Sequence, residues 1–294
     1  MPTSQKSAPP FIESVVHATD FSAASERAFA HALAVALFRR ASLTLLHVGK
    51  DPGTDWSAFP AVRKTLERWN LLEPGSSQAD VLAKVGVQVS KIAIGGLSPS
   101  LAITRYLDEF PSDLLVVATE GRDGVARWLH GSVAEAAARW SRTMTLFVPA
   151  DAQRSIVAVS DGNLTLRSVL IPVDHTPDPS ASIEFARRVA ELAGGDGGVT
   201  ITLLHVGADA PPPRVRAEDG ANWRFERVTR AGDPVTEILA VADAVRAELI
   251  VMPTEGRVGA LDALRGSTTE RVLRRAPCPL LAVPADRETG AENG

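Results

Sequence analysis

The sequence predicts an α/β fold of two tandem domains, each a five-stranded parallel sheet with helices on both faces. Three observations lead there. Apolar, strand-like runs alternate with amphipathic stretches of helical length, the pattern of βαβ units whose right-handed crossovers place helices on both sides of a parallel sheet. The plan of the first half returns in the second. One signature also occurs once per half: Thr119-Glu120-Gly121-Arg122-Asp123-Gly124 with Gly131-Ser132 recurs 135 residues on as Thr254-Glu255-Gly256-Arg257-Val258-Gly259 with Gly266-Ser267.

In chain order, residues 11–18, centred on Val15-Val16, read as the first strand and run into Thr19-Asp20-Phe21-Ser22. Ala28, Phe29, Ala32, Leu33, Ala36 and Leu37 recur at spacings of three and four, one stripe of a helix over about residues 25–40. Leu43-Thr44-Leu45-Leu46-His47-Val48 is the second strand. Phe59, Val62, Leu66, Trp69 and Leu72 predict a further amphipathic helix before a third strand at 87–94. Ser98-Pro99 opens a helix carrying Leu101, Ile103 and Leu107. The fourth strand, Leu114-Leu115-Val116-Val117-Ala118, enters the glycine-rich loop, and residues 144–148 give the fifth.

The second half keeps a register that can be followed. Residues 169–174 answer the first strand, with Asp174 154 residues after Asp20, and Leu203-Leu204-His205-Val206 answers Leu45-Leu46-His47-Val48 at 158. By Pro234 the offset is 135, so four residues are gained near Gly194-Gly195-Asp196-Gly197-Gly198 and 23 are lost after the second strand. There Ala210-Pro211-Pro212-Pro213 stands in place of a helix, because dense proline does not continue one. Between the halves, Ser160-Asp161-Gly162-Asn163 flanked by apolar alternation predicts a hairpin. The expected division is a first domain at 11–150, a hairpin linker at 151–168 and a second domain at 169–285.

Composition narrows the function. An apolar content of 45% suits packed cores, and a net charge of -4 with pI near 5.9 argues against a nucleic-acid partner. No apolar run approaches the roughly 18 residues of a membrane span, and residues 1–10 lack the apolar core of a signal peptide, so a cytoplasmic protein with no membrane partner is expected. The single Cys278 lies between Pro277 and Pro279 before an apolar run, where packing or a reactive thiol are the two readings. No spacing suits a metal site, and no catalytic set is assigned.

The chemistry lies in the repeated loops. Ser132-Val133-Ala134-Glu135 and Ser267-Thr268-Thr269-Glu270 fit the capping box, so each loop opens a helix whose unpaired amides and positive dipole end face the glycines. That combination suits an anion, most usefully a phosphate. No Gly-Lys-Ser/Thr is present, which excludes a Walker A loop. Arg122 and Arg257 could counter phosphate charge or be ordinary surface arginines. Asp20 and Asp174 could face a ligand or cap the helix that follows. His47 and His205 read as hydrogen-bonded core residues or as metal or catalytic groups.

A strand ending in Thr-Asp-Phe-Ser at 19–22, a second ending in Leu-His-Val at 46–48 and a loop of the form Gly-x2-Gly-x9-Gly-Ser together resemble the universal stress protein family, in tandem, over residues 11–285. The resemblance implies an adenine nucleotide alpha hydrolase-like, Rossmann-like fold and an adenine nucleotide partner, ATP, with Mg²⁺ bridging its phosphates. It places Asp20 and Asp174 against the nucleoside, Val48 and Val206 with their backbone at adenine, and Gly121, Gly131, Ser132 and Val133 with Gly256, Gly266, Ser267 and Thr268 around the phosphates. Ala118 and Pro253 stand where the pattern has its first glycine. Alanine adds one methyl group, whereas proline removes an amide and fixes φ, which ranks the first site ahead of the second. The family further implies antiparallel pairing of the two fifth strands in an internal pseudo-dimer, with a homodimer as a further association. The expected role is a nucleotide-responsive stress module. The alternatives are a scaffold that has lost its ligand and a weak ATPase or self-phosphorylating protein.

Overall fold

The computed structural model describes residues 12–49, 56–95, 98–119, 143–193, 197–207, 211–254 and 268–285. The first half comprises β1 (Ser14–Thr19), α1 (Ala23–Arg39), β2 (Ser42–Gly49), α2 (Val62–Arg68), α3 (Gln78–Val85), β3 (Val89–Gly95), α4 (Pro99–Glu109), β4 (Leu114–Thr119) and β5 (Met144–Pro149). The second comprises β6 (Ser168–Pro172), α5 (Ser180–Ala193), β7 (Val199–Val206), β8 (Trp223–Arg230), α6 (Pro234–Ala244), β9 (Leu249–Thr254), α7 (Thr268–Leu273) and β10 (Leu280–Pro284).

All ten strands join one sheet in the order β3-β2-β1-β4-β5-β10-β9-β6-β7-β8. Pairing is parallel everywhere except at the middle, where β5 and β10 run antiparallel with Leu280 opposite Phe147, Leu281 opposite Leu146 and Ala282 opposite Thr145. The seam covers an edge that each five-stranded half would otherwise leave unpaired. Successive side chains of a strand face opposite sides, and the cores follow that alternation. Val15, Leu45, Val116, Ile171, Leu203, Val251 and Leu281 meet α1, α2 and α5 on one face. Val16, Leu46, Val117, Leu170, Leu204, Ile250 and Leu280 meet α4, α6 and α7 on the other. Both cores run across the seam.

The helices differ from expectation in two places. α1 begins at Ala23, two residues early, because the Ser22 hydroxyl caps it by accepting from the Ser25 amide at 3.2 Å. The single helix predicted through Phe59, Val62, Leu66, Trp69 and Leu72 is two short ones. Phe59 lies just past a 3-10 turn at Trp56–Ala58, and Asn70 at φ 57° lets the Leu71 amide turn back to the Leu66 carbonyl, which closes α2 before Leu72. A capping box between Ser77 and Asp80 then starts α3. The apolar stripe is nonetheless buried, from Phe59 at 2% exposure to Leu72 at 6%. Cys278 is fully buried and its thiol is pushed up to about 12 by that burial, which assigns it to packing.

Residues 152–167 tie the halves together. Val157 and Leu164 bridge antiparallel, the Ala158 amide donates to Asn163 and the Thr165 amide to Ile156. Trp69 Nε1 donates to the Val159 carbonyl at 3.0 Å, and Arg154 donates through Nε to the Ala247 carbonyl at 2.8 Å. Gly162 sits at φ 73°, and a Cβ there would lie 2.4 Å from Trp69 Cε3. Gly162→Ala therefore meets a disfavoured backbone and a ring held by its own hydrogen bond. A loss of about 2–3 kcal/mol is expected, read as a lower midpoint in denaturant unfolding at unchanged slope.

Candidate functional site

β6 and β9 pair only at Val169–Leu249 and Leu170–Ile250 and then part, whereas β1 and β4 hold four pairs, from Val15–Leu114 to Ala18–Val117. The chain winds from β6 outward to β8 and then returns to β9 on the other side, so the parting lies where strand order reverses, the usual ligand position of open α/β sheets. A cavity of about 390 Å³ fills it. Val173, Leu204, Ile238 and Met252 form its apolar part, and Asp174, Val206, Pro253, Thr254 and Thr268 also line it. Its size falls within the range of ligand sites, roughly 300–1,000 Å³.

Three residues assigned from the sequence, Asp174, Val206 and Thr268, are thus brought to one cavity. Asp20, Val48 and Ala118 lie at the matching ends of β1, β2 and β4. Gly121, Arg122, Gly131, Ser132, Val133, Gly256, Arg257, Gly266 and Ser267 lie outside the described residues. The Ile250 amide donates to the carbonyl of Pro279, just before β10, and the Ala285 amide, just after it, donates to the Thr254 carbonyl. Residues 250 and 254 therefore face β10, and by alternation the nitrogen of Pro253 faces β6, beyond the last β6–β9 pair. Proline there costs the ladder no hydrogen bond.

Neither aspartate caps a helix. Asp20 Oδ1 accepts from the Ser22 amide at 3.0 Å, but Ser22 is the cap, and α5 starts only at Ser180, well past Asp174. Asp174 Oδ1 accepts from the His175 amide at 2.7 Å, and its side chain is exposed. Just before each aspartate a histidine from the neighbouring strand fixes the backbone. His47 Nδ1 donates to the Thr19 carbonyl at 2.8 Å, and His205 Nδ1 donates to the Val173 carbonyl at 3.2 Å. A carbonyl only accepts, so the proton is on Nδ1 in both. Both are thus hydrogen-bonded, as the first of the two sequence readings expected.

The rims of the two halves differ in chemistry. In the first, Phe21 takes φ 64° and stacks on His47 with centroids 4.0 Å apart, and Phe59 meets Phe21 edge-on. In the second, His175 replaces that phenylalanine and its Nε2 donates to the Pro211 carbonyl at 3.0 Å, pinning the proline-rich segment. The sequence missed Pro172, Pro177, Ile238 and Thr254 as cavity residues. Thr254 opened the repeated motif, but nothing local announced that its side chain would be buried.

Among the described residues no helix is long and apolar enough to cross a membrane, and no cluster of three or more His, Cys, Asp or Glu could hold a metal ion. The family model described as Universal stress protein family matches residues 12–149 and 215–284. A universal stress protein of Mycolicibacterium smegmatis is 26% identical over 293 residues, spanning 90% of this chain and 94% of that one. Universal stress protein Sll1654 of Synechocystis is 28% identical over 150 residues, 45% of this chain and 94% of its own. A crystal structure of a universal stress protein from Archaeoglobus fulgidus shares the fold, with a TM-score of 0.57 at 18% identity over 94% of this chain and 98% of that one.

Proposed function

Because the chain belongs to the universal stress protein family, we propose that it is a regulatory module whose switch ligand is an adenine nucleotide, ATP with Mg²⁺. The observation that carries this reading is the cavity at the β6–β9 parting, where Asp174, Val206 and Thr268 converge. Its apolar part suits the flat base, and the Asp174 carboxylate accepts hydrogen bonds from sugar hydroxyls. The family pattern assigns the phosphates to Gly256, Gly266 and Ser267, residues whose types suit a backbone-amide anion site. Asp20, Val48, Gly121, Gly131 and Ser132 give the first half the same roles.

Calorimetry with ATP on the full chain, stripped of nucleotide, tests the reading. Asp174→Ala removes a charge-assisted hydrogen bond and is expected to weaken binding at the second site about tenfold or more. Gly131→Glu reports separately on the first site. No ATP binding by the stripped wild-type chain overturns the reading and leaves the scaffold. ATP binding indifferent to Asp174→Ala removes the ligand from the second-half cavity.

A further inference from the structure

Thr254 ends β9 and lines the second-half cavity, yet it is only 4% exposed and its hydroxyl has no hydrogen-bond partner among the described residues. Buried hydroxyls are ordinarily paired, because one that leaves water without a replacement bond destabilises the fold. Packing gives no reason for this one. Valine has nearly the same shape, so the hydroxyl is all that threonine adds. The backbone is already satisfied by other means, since the Ala285 amide donates to the Thr254 carbonyl at 2.8 Å. The oxygen is turned away from water, so a rotation about χ1 of this wall residue is what brings it to whatever enters the cavity.

We propose that Thr254 is a specificity-determining residue of the second-half site, its hydroxyl bonding the neutral nucleoside part of the ligand, a ribose hydroxyl or a ring nitrogen. The inference rests on the nucleotide reading given above. Phosphate is the wrong partner at this depth, since a charged group beside Met252, Pro253 and Ile238 would exchange its hydration for one neutral hydroxyl. A site that spends a buried polar group on its ligand also rejects analogues that leave the group unpaired.

Thr254→Val in the full chain, stripped of nucleotide, separates the readings through two measurements that move in opposite directions. Calorimetry is expected to show adenosine and ATP weakened by the same factor at this site, about tenfold. The unliganded variant is expected to melt about 2 °C higher, because an unsatisfied buried hydroxyl is gone. Titration with 2′-deoxyadenosine and 3′-deoxyadenosine then identifies the partner. The analogue lacking it loses nothing further in Thr254→Val, and a full loss retained with both assigns a ring nitrogen. Weakening of ATP alone gives the hydroxyl to the phosphates and overturns the proposal, as do unchanged affinities or a lower melting point. If the wild-type chain binds neither ligand, the nucleotide reading itself fails and this inference falls with it.

Discussion

Acidification from pH 6.5 to 5 is expected to remove about 3 kcal/mol of folding stability through two buried histidines, His17 and His31. His17, fully buried in β1, donates from Nδ1 to the Val116 carbonyl, and desolvation lowers its pKa from 6.5 to about 4. His31, buried in α1, donates from Nδ1 to the Arg27 carbonyl with Ser155 Oγ 2.9 Å from its Nε2. Burial again dominates, the Arg27 charge adds to it, and its pKa is also about 4. Unfolding exposes both rings and returns them toward 6.5, so the unfolded chain binds more protons. Stability from these groups is complete above pH 6.5 and declines as pH falls toward 4. Because the unfolded rings are already half protonated at pH 6.5, the 1.5 units to pH 5 cost about 1.5 kcal/mol for each, and most carboxylates are still ionised there. Urea unfolding at stepped pH measures the slope, and His17→Gln or His31→Gln should each flatten it by about half. A wild-type stability that stays level across this window would contradict the burial of both rings.

Leu281→Asp is expected to cost about 5 kcal/mol or more and to divide unfolding into two transitions. Leu281 is 2% exposed, lies opposite Leu146 across the antiparallel joint in the middle of the sheet and belongs to the core that spans both halves. Truncating such a leucine to alanine costs about 2–5 kcal/mol. A carboxylate adds the cost of leaving water without a partner. The position matters as much as the burial, because each half holds strands and helices of its own, while the seam and residues 152–167 join them. Calorimetric scans should show one transition in the wild type and two in Leu281→Asp, with Leu281→Ala between them. A single transition of unchanged midpoint in the aspartate variant would refute the seam as the coupling element.

The sheet and its duplication were legible because they are written in local periods. Alternation at Val15-Val16, Leu45-Leu46 and Val116-Val117 fixes which side chain goes to which face, and the stripe from Ala28 to Leu37 fixes the face of α1. The antiparallel joint followed from the family resemblance. The stretch around Phe59 to Leu72 misled because its apolar spacing continues through Asn70, where the backbone turns to positive φ. Side-chain hydrophobicity does not report that change of direction.

By itself the sequence determined that two α/β units follow one another, that Asp20 and Asp174 end equivalent strands, and that Asp174, Val206 and Thr268 belong to one repeated pattern. Only the tertiary structure decided that β6 and β9 separate after two pairs, that Pro253 turns its nitrogen toward the resulting opening, and that the Thr254 hydroxyl is buried with no partner among the described residues. The physical reason is range. Strand and helix periods are set by neighbours in sequence, whereas the width of a crevice and the partners of a buried hydroxyl depend on atoms brought together from distant parts of the chain.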